Sequence, residues 1–292
     1  MNGTYAKRSY LINHLATAVM WGAGLLIMGI LAVFLLYILY QGAPVLSWNF
    51  ITGRSSDINV GGGVGAQFFN SFYILVLSLL FSIPVAIGAG VYLAEYARNS
   101  RLTDMIRLST ESLATVPSIV LGLFGMIIFV NMLGVGFSII GGSLTLMLLN
   151  LPVLVRVTEE SIRTVPVSYR EASLALGATK WQTIWRVVLP NALPGIITGI
   201  TLTAGRALGE TAILIFTAGT TVARQIPNFD VTAAGETLAV HMWYVMAVGL
   251  VPDRMEIANG IGALLIITIL AFNLMFTIPG QLLQKKLSAG KH

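Results

Sequence analysis

At 292 residues, with 56% hydrophobic and only 10% charged residues, the chain is too apolar for a soluble domain, where about 25% of residues are charged. It reads as a polytopic membrane protein. Cysteine is absent, which excludes a disulfide framework, a thiolate nucleophile and a cysteine metal site. The three histidines (His14, His241, His292) are scattered without ligand spacing, and the net charge of +5 informs through its distribution rather than its sum.

Lys7 and Arg8 lie in the N-terminal stretch 1–14 and precede the first apolar run, residues 15–40. That run is too long for a signal-peptide core and has no small-residue cleavage site after it, so it predicts a retained transmembrane helix. The polar segment 41–67 holds Gly61-Gly62-Gly63-Val64-Gly65. No Lys-Ser/Thr follows, so it is not a phosphate-cradling loop, and it reads as a linker or short amphipathic element. The second span is 68–95, with Pro84 inside it, tolerated because neighbouring helices satisfy the freed carbonyl.

The third span is 113–132, and a charge-free hairpin, 133–137, leads into the fourth, 138–155. The fifth, 191–219, contains Pro194; a mixed polar segment, 220–257, precedes the sixth, 258–278, and a basic tail, 281–292. The expected fold is therefore all-α, with six transmembrane helices within 15–280 and no soluble domain. No G-x4-G-K-[ST] pattern occurs, so any ATP chemistry must come from another subunit.

Between the fourth and fifth spans, in the loop 156–190, stands YREASLALGATKWQTIWRVVLP, residues 169–190. Ser168 with Glu171, and Thr179 with Gln182, have capping-box spacing. They predict two short helices around Gly177, the first reaching about Leu176 and the second closed by Pro190. A helix-turn-helix reading would put Lys180 and Arg186 in a DNA groove, but apolar helices begin within a few residues on both sides, which leaves no room to wrap DNA. A docking loop for a partner protein and an amphipathic loop resting on lipid headgroups both remain.

Positive charge sets orientation. Lys and Arg gather at the N-terminus, between spans two and three (Arg98, Arg101, Arg107), in the two-helix loop, and in the tail (Lys285, Lys286, Lys291). The other connections hold only Arg54, Arg224 and Arg254. Both termini and the loop are thus expected to face the cytoplasm.

The pattern Glu171-Ala172-Ser173, then Gly177, then Leu189-Pro190 resembles the EAA loop of ABC-importer permeases, with Ser173 and Val187 as mild departures. The resemblance implies coupling helices that fit a cleft on a separate ATPase.

In the fifth span, Arg206 and Glu210 are i and i+4, a spacing that lets them share a helix face and pair. Arg206 sits some fifteen residues in, near the expected midplane at about 1.5 Å per residue. The two readings are a neutral structural ion pair and a water-filled path on which Arg206 offers its donors to an oxyanion. Arg156, ending the fourth span, is either an exit residue or a side chain snorkelling to the interface. Glu236 and His241, on the expected outer side, either face a binding protein or are ordinary loop residues. Gly195 and Gly199, with Gly205 and Gly209, have the spacing of a close helix-packing face.

GRALGETAILIFTAG (205–219), TVPSIVLGLFG (115–125) and LPVLVRVTEESIRTVP (151–166) together are similar to phosphate-importer permeases of the PstA type, from about residue 61 to 283. That resemblance implies a type I importer fold, a heterodimer with a PstC-type permease, a PstB-type ATPase dimer and an external PstS-type phosphate-binding protein. It implies a non-catalytic subunit without cofactor or metal, with Arg206 and Glu210 on the path. Glu210 would then accept from the phosphate hydroxyl while Arg206 binds its anionic oxygens. The rivals are a permease for molybdate or sulfate, a secondary transporter, and a phosphate-sensing scaffold. A secondary transporter needs intramembrane acidic groups, and Glu210 alone is available.

Overall fold

The computed structural model describes residues 3–289 apart from 57–59, 99, 222–225 and 250. Arg224 and Lys291, used above for orientation, lie outside the described residues. Helices dominate. α1 (Gly3–Gly42) leads through a short 3-10 turn (Ala43–Val45) to α2 (Trp48–Thr52) and then α3 (Gly65–Val91), which continues as a π turn, Tyr92–Tyr96. α4 (Arg101–Ala114), α5 (Ser118–Gly125) with its π extension Met126–Met132, and α6 (Ile139–Arg163) follow. Next come α7 (Val167–Ala175), α8 (Lys180–Thr183), a π turn (Ile184–Val188), α9 (Leu189–Leu208), α10 (Ala212–Thr217), α11 (Leu238–Ala247) and α12 (Arg254–Ala289).

Several starts follow directly from residue chemistry. Ser47, Ser100, Ser138 and Thr237 each accept, through a side-chain oxygen, the N–H three residues on, as helix caps do. The first N–H groups of α6 find distant carbonyls as well. Ser138 N donates to Thr217 O at 3.0 Å, and Ile139 N and Ile140 N donate to Ala233 O and Val231 O, both at 2.9 Å. No helix start in a membrane interior can leave such donors unpaired without cost.

Among the described residues, five helices are long and apolar enough to cross a membrane, and a bent pair makes a sixth. That pair is α4 and α5, which meet at 99°. The expected third span began at residue 113, but the helix that runs on to Met132 starts at Ser118. Pro117 has no N–H and biases Val116 away from helical angles, so the chain turns there. α4 then runs across the direction of α5. Its apolar Leu102, Met105 and Leu108 are exposed.

The fifth span also differs from expectation. Lys180–Leu208 is one continuous helical segment of 29 residues, so Pro190 does not close α8. The π turn just ahead of Pro190 widens the backbone where the proline offers no donor. The break comes instead at 209–211, before α10. The basic tail also continues α12 as helix to Ala289.

The packing is close where glycines allow it. A Cβ on Gly195 would sit 2.4 Å from Ser161 Oγ, and one on Gly199 2.4 Å from Val157 Cγ1. Their small-residue face therefore closes onto α6 within this chain, and Gly205 likewise lies against Asn273 of α12. Further along, Gly142 lies beside Leu214 and Ala218, so α9 and α10 run antiparallel to α6 in one register. α3 runs parallel to α6, with Gly90 against Thr158 and Ser143 Oγ donating to Ile74 O.

The core falls into separate apolar clusters. One holds Ile74, Leu75, Leu146, Leu149, Ala204, Leu208 and Leu214. Toward the α7 end, Val91, Ile162, Ile184 and Ile196 form another, beside Ala86, Leu154 and Val155. A further cluster joins Phe50 and Val64 to α11 and α12. Near its C-terminal end α1 meets the bundle, where Gly42 lies against Asn259 and Ala263.

Candidate functional site

The elbow between α7 and α8 is made by local chemistry. Gly177 takes φ +82°, a left-handed conformation that a residue with a Cβ adopts only at a cost. Thr179 and Gln182 form the capping box reciprocally. The Ser168 box is not formed. α7 starts at Val167 after Pro166 with no side-chain cap, which puts Ser168 inside the first turn rather than ahead of it. A 2.9 Å hydroxyl contact between Ser173 and Thr183 holds the two helices together.

Outward from the elbow point Glu171, Ala172, Leu174, Leu176 and Trp181, all exposed, with Leu176 90% exposed. Leu189 and Pro190 lie at the root of α9, Leu189 buried and Pro190 half-buried. Beneath the elbow an ionic knot fastens it to α3. Arg170 donates to Glu95 Oε1 from Nη2 at 2.7 Å and Nε at 2.9 Å, and to the carbonyls of Ile162 and Val165. Lys180 donates to the Glu95 carbonyl, and its Nζ lies 4.4 Å from the Tyr96 ring centre. Glu95 was not singled out by sequence reasoning. The only signal was a carboxylate at the end of an apolar span, and its partner lies 75 residues away.

Arg156 belongs to a second knot. It pairs with Glu160 at 2.9 Å and with Glu111. Beside it, Glu159 Oε1 accepts from Arg107 at 3.0 Å and Arg163 at 2.9 Å. These groups line a cavity of about 270 Å³ between α4 and α6. Arg156 therefore has two carboxylate partners, a finding neither the exit nor the snorkelling reading included.

Arg206 and Glu210 do not share a helix face. α9 ends at Leu208, and Glu210 lies beyond the break, where its Oε1 accepts from Ile213 N at 3.4 Å at the start of α10. The helix stops because Gly209 and Glu210 tighten onto Arg206 O and Ala207 O in short-range turns. Among the described residues Arg206 has no hydrogen bond or ion pair, and its side chain is exposed. The antiparallel register sets Arg206 level with the middle of α6. An unpaired guanidinium at such depth costs about 3 kcal/mol unless it meets water or an anion. The structural ion pair is thus not formed. Glu236 and His241, expected on an outward loop, are 1% and 3% exposed. Gln67 donates to Glu236 Oε1 at 2.7 Å, and His241 Nδ1 lies 2.7 Å from the same oxygen.

Residues 86–289 match the family described as binding-protein-dependent transport system inner membrane component. The chain belongs to this family. It is a permease subunit of an ABC transporter and a multi-pass membrane protein. It is 46% identical, over 95% of its length and 98% of the relative's, to the probable ABC transporter permease protein YqgI of Bacillus subtilis (strain 168). It is 37% identical over 73% of its length, and 74% of the relative's, to the phosphate transport system permease protein PstA of Xylella fastidiosa (strain Temecula1 / ATCC 700964). To the protein of that name in Pasteurella multocida (strain Pm70) the identity is 32% over 82% of this chain and 83% of the relative. The PstA-type resemblance read from the sequence is borne out. The permease also shares its fold with two solved ABC transporters. One is the methionine transporter MetNI in an inward-facing conformation (TM-score 0.59, 19% identity, 76% of this chain and 94% of that one). The other is a bacterial importer of alginate (TM-score 0.62, 14% identity, 94% and 96%).

Proposed function

We propose that this permease forms half of the path of an ATP-driven inorganic phosphate importer and takes its drive through the 169–190 elbow. Its partners in this reading are a PstC-type permease, a PstB-type ATPase dimer and an external PstS-type phosphate-binding protein, with both termini and the elbow cytoplasmic. The observation that carries it is Arg206, an exposed guanidinium level with the middle of α6 and with no carboxylate partner among the described residues, in a chain whose relatives include phosphate transport permeases. A guanidinium presents a planar fork of donors that fits an oxyanion.

The elbow supplies the drive by its construction. Its outer face is apolar and aromatic around Glu171, fit to enter a cleft, while Arg170 and Lys180 tie its inner face to Glu95 and Tyr96. Closing of the ATPase dimer moves α7, and the knot carries the movement to the end of α3. The transmembrane helices then expose the Arg206 level alternately to each side.

Uptake of labelled phosphate into vesicles holding the whole transporter, with and without ATP, tests this reading. ATP-dependent uptake is expected, and uptake of sulfate or molybdate in its place would give the permease to another oxyanion. Uptake without ATP would indicate a secondary transporter, and none of any oxyanion a sensing role.

A further inference from the structure

Several buried hydroxyls of the bundle donate to carbonyls of their own helices, whereas one amide, alone among the described residues, has both polar atoms buried and unpartnered. Ser78 donates to Leu75 O, Thr201 to Ile197 O and Thr203 to Gly199 O, at 2.8 to 2.9 Å, each inside its own helix. Asn150 is 1% exposed, yet neither its Nδ2 nor its Oδ1 has a hydrogen-bond partner. Buried amides in protein interiors are otherwise paired almost without exception.

Its place in the fold sets Asn150 beside other polar groups. Gly195 lies against Ser161, Gly199 against Val157, and Leu214 against Gly142, so the α6 residue level with Arg206 is Asn150. Val157 and Asn150 are seven residues apart and share a helix face, so Asn150 faces α9. The same level on α3, counted from Gly90 against Thr158, is the fully buried Ser82. On α12 it is Asn273, beside Gly205, whose Oδ1 is also unpartnered. This polar layer separates two apolar clusters, with Leu146 and Leu149 on one side of Asn150 and Leu154 and Val155 on the other.

We infer that Asn150 is a second solute contact on the path marked by Arg206, exposed when the seam between α6 and α9 opens. The inference rests on the anion-transport reading above. A carboxamide offers both a donor and an acceptor. It therefore complements an oxyanion that keeps a proton: Nδ2 donates to an anionic oxygen and Oδ1 accepts from the hydroxyl. A fully deprotonated oxyanion satisfies only the first.

Because the chain holds no cysteine, Asn150→Cys can be followed on this subunit alone with an anionic methanethiosulfonate reagent in the assembled transporter. Labelling is expected about tenfold faster during ATP turnover than without ATP, as a shift toward the open state requires, and slowed by inorganic phosphate. Equal rates with and without ATP, or labelling that no oxyanion slows, would overturn the role of Asn150. Protection by sulfate but not phosphate would leave Asn150 on the path and overturn phosphate as the solute. Should Asn150→Cys fail to assemble, Asn150→Leu keeps the volume and removes both polar groups. Uptake reduced about tenfold in an intact complex is then expected, and parental uptake would overturn the proposal.

Discussion

Arg170 in α7 grips Glu95 at the end of α3 through two nitrogens, at 2.7 and 2.9 Å, while its remaining donors hold the carbonyls that end α6. One side chain thus joins the elbow to two membrane helices. The Glu95 and Arg170 side chains are only 9% and 19% exposed, so removing one charge leaves the other partly buried and unpaired. Such a loss costs about 3 kcal/mol. Glu95→Gln is expected to lower the thermal stability of the complex and to weaken solute uptake more than ATP hydrolysis. Equal loss of both activities would mean that the knot only holds the fold together.

Gly177 makes the neighbouring prediction. At φ +82° a β-branched residue is strained, so Gly177→Val should shift the exposed face around Glu171. No heavy atom lies within 4 Å of the Cβ position, so the effect acts through the backbone and not through a clash. ATP hydrolysis uncoupled from uptake is the expected result, with normal membrane insertion. Full coupling in that variant would count against docking at the elbow.

Arg206→Gln should abolish uptake while the complex still assembles. Since Arg206 and Glu210 are not paired, a double-mutant cycle with Glu210→Gln on complex stability should be additive within about 0.5 kcal/mol. A larger coupling energy would restore the structural ion pair and remove the reason for calling Arg206 free.

The packing of α9 on α6 predicts a purely structural effect. Gly199→Leu forces a side chain into Val157 and should cost about 1–3 kcal/mol by overpacking. The midpoint of thermal unfolding of the detergent-solubilised complex reports it. An unchanged midpoint would show that the helices separate there without loss.

The membrane class, the all-α fold, the elbow at Gly177 and the capping box of Thr179 with Gln182 were all legible in the residues. Each depends on neighbours within a few positions or on the apolar content of a single run. The break at 209–211 was not legible, because the hydropathy of 191–219 continues across it and helix spacing was read straight through Gly209. Tertiary structure alone buried Glu236 with Gln67 and left Asn150 unpartnered at the level of the free guanidinium. The first depends on how α3 meets the segment before α11 and the second on how α6 and α9 align, and both are set by contacts between residues distant in the chain.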